Sequence, residues 1–136
     1  MLDFGKAIQI AQEELPEYNK KLRVLRDYYL ANVEKDIPFI RINGDLENRL
    51  AGNANVCFKG VDGAKLLQEL DKVGICASSG SACSAGLLNP SHVLLAIGVP
   101  ANIARSSLRV TFGKENTVED VDYLVEQLMR IVKKLR

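Results

Sequence analysis

At 136 residues the chain is long enough for one domain with a sizeable core, and 47% hydrophobic against 26% charged residues excludes a disordered polymer. A formal charge of +1, no Trp, and four Tyr and four Phe not interleaved with basic clusters argue against nucleic acid or an anionic membrane as partner. No apolar run nears the ~20 residues that span a bilayer, the N-terminus lacks a secretory pattern, and three cysteines, an odd number, argue against a disulfide framework, which places the chain in the cytoplasm.

In chain order, Leu2, Ala7, Ile8, Ala11, Leu15, Leu22, Leu25, Tyr29 and Val33 keep roughly helical spacing. Pro16 interrupts them and predicts a kink or two abutting helices. Phe39–Asn43 reads as a strand closed by the turn Asn43-Gly44-Asp45, and Asn55–Phe58 as a second strand. A helix is predicted from Ala64 to about Lys72, with Leu66, Leu67 and Leu70 on one face and Gly74 as its stop. Ile75–Ala77 reads as a short strand. Asn89 and Pro90 suit the cap and first position of a helix through Val93, Leu94 and Ile97 to Gly98, and Pro100 starts one short helical turn. Leu108–Phe112 is the last strand. Thr117 caps a long final helix with Asp120 in the reciprocal position; Val121, Leu124, Val125, Leu128 and Val132 face inward. The fold class is α+β: a two-layer sandwich, with a small mixed sheet of about four strands packed against helices and long terminal helices, as one domain over 1–136.

Between the run Val73–Ala77 and Asn89 lies Ser78-Ser79-Gly80-Ser81-Ala82-Cys83-Ser84-Ala85-Gly86, with no side chain larger than a thiol. Gly loses most entropy on ordering and Ser bonds its own backbone, so Cys83 is expected on a mobile arm anchored at both ends. Three readings of the cysteines and the single histidine compete. A Cys3His zinc site would need paired ligand spacing that Cys57, Cys76, Cys83 and His92 lack. Cys83 could be a nucleophile or sulfur carrier, its thiolate favoured by His92, Arg105 or Arg109; an incidental thiol is the alternative. Disulfide chemistry between Cys76 and Cys83 ranks below this, because the spacing is not C-x-x-C. Cys57 and Cys76, inside apolar runs, read as small hydrophobes. Arg109, between Leu108 and Val110 in a strand, either snorkels to water or presents its fork to a carboxylate.

Ser78-Ser79-Gly80-Ser81-Ala82-Cys83, followed by Leu88-Asn89-Pro90-Ser91-His92-Val93-Leu94 and then Ser106-Ser107-Leu108-Arg109-Val110-Thr111-Phe112-Gly113, closely resembles the C-terminal region of group I, NifS/IscS-type cysteine desulfurases, PLP enzymes of the class V aminotransferase group. The resemblance runs from about Phe4 to Leu135. It implies that Cys83 is the persulfide-forming cysteine, that Ser78, Ser79, Gly80, Ser81, Ala82 and Ser84 form the loop that carries it, and that Arg109 clamps the substrate α-carboxylate. In that family L-cysteine is bound to PLP, whose ring serves as electron sink while the protein thiolate takes the sulfur and leaves alanine.

The implied partners are a large PLP-binding domain of the same enzyme and a sulfur acceptor such as an iron–sulfur scaffold protein, with a homodimeric parent. The family's PLP lysine, its pyridine-holding Asp and His and its phosphate-binding region have no counterpart here, so no cofactor-binding residue and no metal site is expected in this chain. The chain begins just after the family's Arg-x-Gly-Thr segment, and Arg105 stands where many relatives carry His. The small domain alone is therefore expected to fold, to leave apolar surface bare and self-associate, and not to desulfurate cysteine. A stand-alone persulfide carrier or interaction module is the alternative, and a structural domain without chemistry the third option.

Overall fold

A computed structural model describes residues 2–79 and 90–136, Leu2 by its backbone alone. Helix α1 (Leu2–Asp36) runs unbroken through Pro16, so there is one helix and not two. Proline removes one N–H and crowds the carbonyl four residues back, at a cost of roughly 3 kcal/mol in a packed helix. Here that carbonyl belongs to Gln12, on an exposed turn where water can take the bond. The two halves of α1 differ. Leu22, Leu25, Tyr29, Leu30 and Val33 are buried, whereas every residue from Asp3 to Glu17 is exposed, Phe4, Ile8 and Leu15 included. The helical spacing of Ala7, Ile8, Ala11 and Leu15 is thus present without burial. The helix beside α1 has 18 residues against its 35, and no described element reaches the first turns.

Three strands follow the order β1 (Ile40–Ile42), β2 (Asn53–Phe58), β3 (Ser107–Thr111), antiparallel throughout. Among the described residues the sheet is therefore three-stranded and antiparallel, not mixed and four-stranded as expected. The missing strand is Ile75–Ala77. Ser78 pairs with β3 in an isolated bridge to Arg109. A cavity of about 510 Å³ separates Ile75–Ala77 from Val110–Phe112, with Tyr123 and Asp120 along it. Tyr123 Oη donates to the Val73 carbonyl at 3.0 Å and so ties the chain to the last helix instead of to the sheet.

Strand alternation divides the sheet into two faces. Ala54, Val56, Phe58, Leu108 and Val110 enter the main core with α1, α2 (Gly63–Asp71) and α5 (Val118–Leu135). Asp62 caps α2 through the Lys65 N–H at 2.9 Å, and Gly74, at φ 77°, ends it in a conformation only glycine adopts freely. Thr117 and Asp120 close the expected capping box on α5, whose stripe of Val121, Leu124, Val125, Leu128 and Val132 is buried. Each such side chain is worth roughly 1.5–3 kcal/mol when withdrawn from water.

On the second face, α3 (His92–Ala96) and α4 (Ala101–Ala104) cover one end only, where Leu94, Val99 and Ala104 pack on Cys57. Ser91, not the expected Asn89, holds the cap position of α3; Asn89 lies outside the described residues. No described helix covers the other end of this face.

Candidate substrate site

The open end of the second face carries the polar residues of β2 and β3. Arg109 stands there half-buried, between Leu108 and Val110, which point to the core. Asn55 is its directly opposed partner in register. A pocket of about 430 Å³ opens over them, with Asn43 and the β1–β2 loop on one side and His92 and Val93 of α3, with Ile97 just past it, on the other. Among the described residues no carboxylate or carbonyl accepts from the Arg109 guanidinium. Asp45 also lines the pocket, but its carboxylate accepts from loop N–H groups. An arginine fork with five donors that no described acidic group engages suits a planar anion from outside.

The floor is rigid. The backbone N–H of Asn43 donates to the Asn55 carbonyl at 2.9 Å, and Asn43 Nδ2 donates to Asn55 Oδ1 at 2.7 Å and to Cys57 Sγ at 3.0 Å. Arg49 donates to the carbonyls of Asn43 and Asp45, which fastens the loop at the rim. Asp45 accepts from the backbone N–H groups of Asn48 and Glu47, bonds that hold its carboxyl below the usual carboxylate range. Reasoning from sequence read this stretch as a turn and missed the Asn43–Asn55 pair; the signal was the polar alternation of Asn53 and Asn55 in a strand.

The other expected site residues fall as follows. Ser78 and Ser79 are described; Gly80, Ser81, Ala82, Cys83 and Ser84 lie outside the described residues. Ser78 N–H donates to the Arg109 carbonyl at 3.1 Å, and Arg109 N–H donates back at 2.6 Å. His92 is exposed and shares the Arg109 pocket, while Arg105 is exposed at the end of α4 and does not line it. Cys57 is fully buried, as a small hydrophobe should be, and burial pushes its thiol up, partly offset by hydrogen bonds from Asn43 and Ser106. Cys76 departs from expectation: its segment is not a strand, and the residue is exposed along the other cavity. Among the described residues no three His, Cys, Asp or Glu gather as a metal site, and no helix is long and apolar enough to cross a membrane.

Residues 1–124 match the family described as Aminotransferase class-V. The chain belongs to that family. The cysteine desulfurase IscS of Clostridium botulinum is 46% identical over 138 residues, covering 100% of this chain and 35% of the relative. The cysteine desulfurase IscS of Methanosarcina thermophila is 46% identical over 136 residues, covering 100% of this chain and 33% of the relative. A solved NifS-like protein superposes with a TM-score of 0.81 at 31% identity, over 96% of this chain and 32% of its own. The NifS-like protein of Rickettsia africae gives a TM-score of 0.80 at 27% identity, over 96% and 33%. The chain spans about a third of the length of the curated relatives it matches.

Membership in the class-V aminotransferase family implies pyridoxal phosphate in the parent enzyme. The residues of this chain do not fit it as a resident group. A lysine is needed in a covered pocket to bond the aldehyde. Every lysine from Lys6 to Lys134 is exposed, and none lines the Arg109 pocket.

Proposed function

We propose that the chain is the small, C-terminal, sulfur-accepting domain of a cysteine desulfurase. The observation that carries this reading is the double hydrogen bond between Ser78 and Arg109. Arg109 grips the α-carboxylate of L-cysteine from the open sheet face, and the loop that bears Cys83 starts from the same backbone position. Cys83 lies 83 − 78 = 5 residues from that bridge, so covalent geometry limits its Cα to within about 18 Å of that of Ser78. A thiol on so short a tether stays near the substrate that the arginine holds.

The thiolate of Cys83 attacks the substrate sulfur. The S–S bond forms as the Cβ–S bond breaks, its electron pair stays on Cβ, and a proton completes the methyl group of L-alanine. The two sulfurs are oxidised and Cβ is reduced, so no outside oxidant is needed. The electron sink in this family is pyridoxal phosphate, supplied by residues outside this chain. The Cys83 persulfide then passes its outer sulfur to an acceptor of the iron–sulfur scaffold kind. The bare first half of α1, with Phe4, Ile8 and Leu15 exposed, is the surface we give to the large domain. Without that domain the chain self-associates at high concentration and does not release alanine.

The test incubates the chain with pyridoxal phosphate and L-cysteine, alone and with the PLP-binding domain of a relative. Alanine release and a one-sulfur adduct on Cys83, seen only with the added domain and lost in Cys83→Ala, support the reading. Alanine release by the chain alone refutes its dependence on the domain. An adduct gained from a persulfide donor protein, with no activation by the PLP domain, makes the chain a carrier instead.

A further inference from the structure

We propose that Asn55 is a second donor to the carboxylate that Arg109 grips, with its amide aimed by Asn43; this rests on the reading of Arg109 as a carboxylate clamp. Asn55 and Arg109 are opposed in register on the open face, and side chains so placed have Cβ atoms about 4.5–5.5 Å apart. Both line the same pocket. The Asn55 amide has one acceptor and one donor end, and its partner Asn43 distinguishes them. Its Oδ1 accepts from Asn43 Nδ2 at 2.7 Å, so its Nδ2 is turned the other way, where no described residue accepts from it.

Asn43 can fix that direction because it is itself immobilised. It is 4% exposed, its backbone N–H is bonded to the Asn55 carbonyl, and its amide also reaches Cys57 Sγ. A carboxylate offers about four lone-pair sites, of which a bidentate guanidinium takes two. A neutral amide beside that fork adds a hydrogen bond without adding charge. The pair therefore suits a monoanion, the α-carboxylate of an amino acid. Val93 and Ile97 line the facing wall beside His92.

The 136-residue chain, labelled with nitrogen-15, is titrated with L-alanine and, separately, with L-alaninamide, which lacks the carboxylate. Saturable shifts of both the Asn55 side-chain amide and the Arg109 Nε–H with L-alanine, and of neither with L-alaninamide, are the expected result. Asn55→Leu then weakens L-alanine binding by roughly tenfold, as loss of one charge-assisted hydrogen bond should. Shifts at Arg109 with Asn55 unmoved, or unchanged affinity in a folded Asn55→Leu variant, overturn the role of Asn55 and leave the arginine clamp standing. If neither side chain responds to L-alanine, the clamp fails and the role of Asn55 with it. The wild-type titration decides even if Asn55→Leu does not fold.

Discussion

Ser78 and Arg109 exchange both backbone hydrogen bonds, at 3.1 and 2.6 Å, and this isolated bridge joins residues 75–79 to β3. Among the described residues the Arg109 guanidinium makes no bond that holds the fold: its strand is held by backbone bonds and by Leu108 and Val110. Arg109→Lys keeps that backbone but replaces a planar fork with a point charge. The thermal midpoint of the chain should not change. In an enzyme completed with a PLP domain, KM for L-cysteine should rise tenfold or more, about 1.4 kcal/mol, with a smaller fall in kcat. An unchanged KM contradicts the clamp.

Cys57 and Cys76 should separate cleanly by reactivity. Cys76 is exposed; Cys57 is buried, with a thiol pushed up by desolvation, so its thiolate fraction near pH 8 is depressed. In a Cys83→Ala background, one thiol should react at once with an aromatic disulfide reagent. The second should react only as fast as the protein unfolds, accelerating with urea. Two fast thiols would contradict the packing of Leu94, Val99 and Ala104 over Cys57.

Gly63 opens α2 where that helix touches the turn before β3, its N–H bonded to the Arg105 carbonyl at 3.1 Å. A Cβ there would sit 2.6 Å from the same oxygen, and backbone must move to admit it. Gly63→Ala should destabilise by about 1–3 kcal/mol, the usual range for overpacking, despite the better helix propensity of alanine. Urea unfolding gives the value; a stabilised variant would show that the contact relaxes freely.

The same comparison of local and distant causes explains what was legible beforehand. Helix α5 could be read from its own residues: Thr117 and Asp120 mark its start and its apolar stripe has one period. The half-and-half character of α1 could not be. The spacing of Ala7, Ile8, Ala11 and Leu15 says that a face wants cover, but not that this stretch of chain supplies none. Ile75–Ala77 has strand composition, yet Tyr123, some fifty residues on, holds the preceding turn away from β3. Arg109 was visible as a mid-strand cation. Its setting was not, because the Asn43–Asn55 floor depends on a register that joins residues on different strands.

Tyr29 is completely buried, edge-on to the Phe112 ring at 5.8 Å, and its hydroxyl has no partner among the described residues. Tyr29→Phe keeps the ring contact and removes an unsatisfied polar atom. Stability should rise, by up to about 1–3 kcal/mol. Burial also raises the phenol pKa above its ordinary 10.0, so the folded state resists ionisation that the unfolded chain accepts. That contribution is complete below pH 10.0 and is lost as pH climbs beyond it. Wild type should therefore lose stability in strong alkali more steeply than Tyr29→Phe, and parallel alkaline curves would contradict the burial.

Glu69 gives the acid limb. Its carboxylate accepts from Lys72 Nζ at 2.6 Å and Lys134 Nζ at 2.5 Å, joining α2 to the end of α5. Those bonds pull its pKa down from 4.5 to about 2. A depressed carboxyl pKa means that the unfolded chain takes the proton first. The stabilisation is therefore present above the unfolded value of 4.5 and disappears as pH falls through the folded value of about 2. Because the group is at the surface, added salt should weaken the effect. In thermal midpoints from pH 6 to pH 2, wild type should exceed Glu69→Gln by a constant margin above about pH 4.5. The margin should close as pH falls toward 2 and shrink at high ionic strength. A difference that persists unchanged at pH 2 and in high salt would mean that Glu69 acts through packing against α5 and not through charge.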